Sequence, residues 1–391
     1  MMWESRAWLL GLLASLSAAC VSAPPVTAPG MLAYDVSLGV QGNALSVAWY
    51  GGNQGHDAIW LQRLDAHDQA LGRPLRLTDG TRDAFEPDLQ FLDGDAIVAW
   101  YEKDDAGGLR AWVGRFDGSG KVRWREPLSP PERQGRNPVV RLENDRLHVA
   151  WLESARDAKP VNPVEVRTTI LDGSGRRQVG SLVAGTANQD TWNLNASLEP
   201  DGTLLIVFDA RTASRANELQ LAHVAGTASQ VTTLSADDGF DSTYPDIALN
   251  GDRAALTWLD SKDGNTEIYL AVGTMGELTT DLARHARRIT RTPGASIGAY
   301  LAWNGPRLLV TWSDETAGQM EVFRQEFDTR GEPVTRIEPV THTSADSLIP
   351  SVRPAGAGFA LAWTERLALP ATAAGGHSPT ASSQVRIERV H

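Results

Sequence analysis

Short apolar runs that close on an aromatic residue recur along this chain. "ALSVAWYGGN" begins at Ala44, and the same phrase returns as "AIVAWYE" ending at Glu102, "LHVAWLE" at Glu153, "AALTWLD" at Asp260, "LLVTWSD" at Asp314 and "ALAWTE" at Glu365. The closing aromatics Trp49, Trp100, Trp151, Phe208, Trp258, Trp312 and Trp363 are separated by 51, 51, 57, 50, 54 and 51 residues. A period of that length marks a repeat architecture.

Each unit divides into four short strands. Thirteen residues before the aromatic another strand begins, and in four copies that residue is proline: Pro87, Pro138, Pro245 and Pro350. After the aromatic comes a loop of variable length and a third strand, such as "VEVRTTILD" or "TEIYLAVG"; then Asp-Gly turns as in "FDGSGKVRW" lead to a fourth, such as "RRITR". Asp and Gly suit tight hairpins because Asp bonds its own backbone and Gly takes positive φ. The second strands are apolar almost throughout, as expected of a sheet covered on both faces. The pattern therefore predicts an all-β, seven-bladed β-propeller of four-stranded antiparallel blades, with the repeat aromatics wedged between neighbours. A six-bladed ring with an irregular insert fits the seven aligned copies less well. Copy seven ends at His391 with its third strand, so "PPVTAPGM" near the N-terminus is expected to close the last blade.

The N-terminus changes the picture of where the chain works. "MMWESRAWLLGLLASLSAACVSAPP" has an arginine, an apolar run and small residues before Cys20, the single cysteine. This is the outline of a secretory signal, and "LSAAC" resembles the bacterial lipobox. The implied division is a lipoprotein signal peptide over 1–19, a lipid-anchored tether over 20–30 and the propeller over 31–391. Val21 after the cysteine resembles the pattern that directs lipoproteins to the outer membrane, which points to a periplasm-facing envelope protein held by lipid alone. The formal net charge of -12 argues against nucleic acid as a partner.

Candidate chemistry lies after the aromatics. Glu102, Glu153, Asp260, Asp314 and Glu365 stand two positions beyond them and Asp209 one beyond Phe208, all leaving the second strand on one side of the disc. Each carboxylate could cap its own loop, or together they could form a cation-attracting mouth. Copies three and four diverge most, which adds Trp192 in "NQDTWNLN" and Arg211 in "DARTASRAN" to the candidate binding face. The histidines are scattered without metal-ligand spacing, and no cofactor is expected. "DDGFD" at 237–241 could hold a calcium ion but lacks the regular alternation and distal glutamate of an EF-hand loop.

The unit "PDIAL…AALTWLDSKDGNTEIYLAV…RRIT" resembles repeats of bacterial sialidase-like and TolB-like propellers, over nearly all of residues 31 to 391. "FDGSGKVRW" echoes the Asp-box turn of sialidase blades but lacks its serine. A sialidase would need three arginines, a tyrosine nucleophile with its glutamate, and an aspartic acid. Arg136, Arg211 and Arg291 fall near the candidate face and Tyr244 precedes Pro245, yet the arginine-isoleucine-proline opening is missing and no catalytic set emerges. The expectation is a non-enzymatic module that binds an envelope protein or peptide. The alternative is a sialidase-like protein that binds or hydrolyses glycans with carboxylates of the loop face.

Overall fold

The computed structural model describes residues 25–27, 30–52, 55–156, 163–188, 191, 193–367 and 382–391. Seven antiparallel sheets follow one another along the chain, at 34–76, 84–127, 133–187, 194–233, 242–288, 296–339 and 346–390. The first strand of each blade contacts the first strand of the next, and that of blade seven contacts that of blade one, so the sheets form a closed ring. The first strands line the axis, and the fourth strands form the rim.

Apolar burial is organised by interfaces. There are seven clusters of buried side chains among the described residues, one for each pair of neighbouring blades. Ala48, Ile59 and Leu61 of blade one, for example, pack with Leu89, Val98 and Trp100 of blade two. In every cluster the repeat aromatic of one blade reaches back onto the preceding blade, as a wedge should. Burying such a ring contributes about 2 to 3 kcal/mol. Ring closure uses the same contact: Trp49 of blade one packs with Ala360, Ala362 and Val385 of blade seven.

Among the described residues, blade seven has three strands of its own. The N-terminal segment meets the free edge of the third strand without forming a fourth: the Val26 amide donates to the Val385 carbonyl at 2.8 Å and the Val385 amide to Thr27 Oγ1 at 3.3 Å. Ser383 Oγ then ties to both the amide and the carbonyl of Ala33 at 2.7 Å.

The tryptophan and the proline thirteen residues earlier are two sides of one feature. In blade two, Phe85 pairs with Tyr101 and Asp88 with Ala99, so Glu86 and Pro87 together oppose Trp100. The same two-against-one bulge places Asp35–Val36 opposite Trp49, Asn137–Pro138 opposite Trp151, Tyr244–Pro245 opposite Trp258, Gly298–Ala299 opposite Trp312, and Ile349–Pro350 opposite Trp363. Proline fits there because a bulged residue has no ladder bond to donate. Blade four carries Phe208 in place of tryptophan and pairs it directly with Leu194.

Candidate functional site

The carboxylates after the aromatics are buried within the blades. Glu102, Glu153, Asp209, Asp260, Asp314 and Glu365 are at most 7% exposed. On a strand, residues two apart share a face, and this brings the acid beside the indole: Trp100 Nε1 donates to Glu102 at 2.8 Å, Trp151 Nε1 to Glu153 at 2.9 Å and Trp258 Nε1 to Asp260 at 3.3 Å. Glu153 also accepts from Arg133 at 2.6 Å, and Glu365 from Arg386 at 2.6 Å. Asp314 holds Ser296 Oγ at 2.6 Å and the Thr316 amide at 2.8 Å, while Asp209 accepts from Thr191 Oγ1 at 3.2 Å. These groups brace the blades and do not gather in an open mouth. Arg211 is exposed at the end of its strand. Cys20 and Trp192 lie outside the described residues. In the 237–241 stretch, Asp237 accepts from Thr212 Oγ1 at 2.6 Å and Asp241 from the Asn217 amide at 2.8 Å, and among the described residues no His, Cys, Asp or Glu cluster is arranged to hold a metal.

The structure brings a different set together. A cavity of about 420 Å³ opens on the axis and is lined from all seven first strands. Its lining includes Asp35, Glu86, Asn137, Tyr244 and Ile349, the bulge residues of five blades. All five have left-handed backbone, with φ of 37°, 47°, 49°, 52° and 49°, and Gly298 of blade six has 62°. Such angles are costly for side chains other than Gly and Asn, most of all for a β-branched one. The backbone device is thus shared by six blades, but the side chains differ. Blades one to three present Asp35, Glu86 and Asn137; blades five to seven present Tyr244, the bare Gly298 and Ile349, with Tyr300 beside them.

Both acids of this wall are perturbed by burial, Glu86 and Asp35 alike. Glu86 accepts from Tyr101 Oη at 2.9 Å and from Asn137 Nδ2. Desolvation, reinforced by the charge of Asp35, pushes its carboxyl up to about 8, against the opposing pull of the Tyr101 bond and the Arg136 cation. Burial raises Asp35 also, more than the charge of Arg366 and the Tyr50 hydroxyl lower it. Tyr34, Tyr50, Phe85 and Tyr101 run behind the pair with centroids 5.3 to 5.4 Å apart, joining blades one and two. Arg136 is held by the Thr191 carbonyl at 2.8 Å.

Further along the same strands lies a bracing layer. Asp88 accepts from the Val140 amide at 2.7 Å and from Arg141 at 2.8 Å, and Asp246 from the Leu301 amide at 3.1 Å. Ser37 receives the Leu89 amide at 3.0 Å and Ser351 the Leu38 amide at 3.2 Å. The residue after the bulge therefore ties one blade to the next. Burial lifts Asp246 to about 6.

Scans against protein-family models and curated proteins found no match. Solved structures share the fold. A puromycin-hydrolyzing peptidase of Mycobacterium tuberculosis superposes with a TM-score of 0.59 at 14% identity over 94% of this chain, which spans 55% of the peptidase. The phage phi92 endosialidase gives 0.53 at 10% identity, covering 95% of this chain and 69% of that one. A PL25 ulvan lyase gives 0.57 at 8% identity, with 93% and 92% covered. At these identities the likeness establishes the β-propeller fold of this chain.

Proposed function

We propose that the chain is a lipid-anchored bacterial envelope propeller whose axial cavity binds a basic group, a lysine or arginine side chain or a terminal amine, of a protein or peptide partner. The observation that carries this is the unlike set of side chains on a repeated bulge. Two partly desolvated carboxyls, Asp35 and Glu86, stand on one side, and tyrosines face them from blades five and six. A cation relieves the repulsion of the acidic pair and rests against the tyrosine rings. The volume suits one side chain and its neighbours better than a folded surface. The pairing of Val26 with blade seven supports the anchoring part, since only residues 21–25 then separate Cys20 from the disc.

The test is calorimetric titration with lysine- and arginine-containing peptides. Binding is expected to strengthen between pH 6 and 9, because Glu86 with a carboxyl near 8 must release its proton to meet the cation. Glu86→Gln and Asp35→Asn should each weaken binding about tenfold and flatten that pH dependence. Affinity that ignores pH and both substitutions would remove the axial cavity from consideration.

A second reading has its own support. A glutamic acid still protonated at neutral pH, bonded to Tyr101 and close to Asp35, is equipped to donate a proton to a glycosidic oxygen. Release of reducing ends from a glycan panel, abolished in Glu86→Gln, would select this glycan-active reading over the binding module.

A further inference from the structure

A second concavity lies on the rim, where blades five and six meet. It measures about 410 Å³ and is lined by Arg284, His285, Arg287, Arg288, Arg291 and Arg330, with Glu332 at one side. Five guanidinium groups around one cleft stand out on a chain of net charge -12.

Local structure assembles them from two repeats. In blade five the turn before the fourth strand is enlarged into two short helices, Met275–Thr280 and Leu282–His285, which place Arg284 and His285 above the edge strand bearing Arg287 and Arg288. Arg330 comes from the corresponding turn of blade six. There Asp328 accepts from the Arg330 and Glu332 amides at 2.8 and 2.9 Å, and Gly331 at φ 78° sits so close to blade five that a Cβ would meet Val272 at 3.0 Å. The glycine lets the turn lie on blade five and brings Arg330 to the other arginines.

The acids nearby leave part of this charge uncompensated. Arg288 is engaged from behind by Glu267 at 2.8 Å and Asp263 at 3.1 Å, and Arg287 pairs with Glu332 at 2.5 Å. Asp328, committed to its own turn, feels the charges of Arg330 and Arg287. Arg284, Arg291 and Arg330 form no salt bridge among the described residues, and Arg291 reaches only the Arg288 carbonyl at 3.3 Å. Guanidinium forks converging on one cleft match the oxygens of a phosphate group, which accepts paired N–H bonds.

We propose that this cleft is an anion site for a phosphate-bearing ligand, with Arg284, Arg291 and Arg330 as its contacts. The ligand is either a soluble phosphate compound or a lipid headgroup, and two assays separate them. The full-length protein is titrated with inorganic pyrophosphate by calorimetry, and is floated with phosphatidylcholine vesicles with and without phosphatidylglycerol. Pyrophosphate binding without preference for the anionic vesicles assigns a soluble phosphate; a preference for the anionic vesicles assigns a headgroup. In either case the double variant R284Q/R330Q should lose at least tenfold in affinity, Arg176→Gln on blade three should behave as wild type, and added salt should weaken binding. Gly331→Ala, which keeps every arginine, should weaken binding by displacing Arg330. Wild-type protein that binds neither probe, or a double variant that binds as tightly as wild type, would overturn the proposal.

Discussion

Two rings of side chains in this propeller invite comparison. One is the set of carboxylates that follow the repeat aromatics; the other is the set of bulge residues opposite those aromatics. The first repeats in chemistry: acids at most 7% exposed, each occupied with an indole, a hydroxyl or a guanidinium of its own blade. The second repeats only in backbone, with six blades placing unlike residues at φ between 37° and 62° around the axis. In a repeat protein a residue type kept from unit to unit serves what every unit shares, which is its own folding. A shared geometry filled differently in each blade can serve something the ring does only once. The conspicuous acids are therefore structural, and the inconspicuous bulge residues carry the individuality of the site.

The largest expected effect lies in the structural ring. Glu153→Ala leaves Trp151 Nε1 without its acceptor beside a buried gap and takes from Arg133 and Arg167 one of the two carboxylates they share, Glu165 being the other. Removing one partner of such a buried set should cost about 2 to 4 kcal/mol. The check is denaturant unfolding, alongside peptide affinity measured on the folded fraction. Lost stability with unchanged affinity sharpens the contrast; the reverse result would merge the two rings.

Glu86→Gln should act in the opposite direction. The folded carboxyl near 8 lies above its ordinary value of 4.5, so between those pH values the native state keeps a proton that the unfolded chain releases. Stability then falls as pH rises through that window, and the charge is a net cost above it. The amide removes this cost. Its melting temperature should match wild type at pH 4 and exceed it at pH 8 by the equivalent of about 1 to 3 kcal/mol. A flat difference across pH would mean that Glu86 is already ionised and well solvated.

How much of this could be read in the sequence follows from the same contrast. The aromatic spacing and the prolines at 87, 138, 245 and 350 announced the blades, because burial and a missing amide leave marks in residue type. The indole–carboxylate bonds were also within reach, since Trp100 and Glu102 are two apart on a strand. Their burial was not, because a carboxylate at a strand end is ordinarily exposed. The axial set left a fainter trace. A left-handed backbone has no sequence signature when Glu, Tyr and Ile adopt it, and the single sign was position, the residue just before each proline. Asp35 lacked even that, because Val36 stands where the proline would be. The rim arginines were half visible: "RHARRITR" is a local run, but Arg330 arrives from the next repeat through a turn whose seating on Val272 no pattern encodes.

The smallest effect tests the premise that the bulge is imposed on its residues. Ile349 holds φ of 49° with a β-branched side chain, a conformation that costs about 1 to 2 kcal/mol relative to the right-handed regions. Its amide is fixed by Ser313 Oγ at 3.1 Å, and Pro350 follows, so the chain has little freedom to relax. Ile349→Asn substitutes a residue that tolerates left-handed backbone and gives up the apolar contacts of the isoleucine, which is only half-buried. The two terms nearly cancel, and stability should rise by about 0.5 kcal/mol or stay level. In an ordinary half-buried strand position the same change would cost about 1 kcal/mol or more. Denaturation midpoints resolve that difference, and a clear loss would show that the isoleucine is there for packing, leaving the acidic wall as the part of the ring that distinguishes one blade from another.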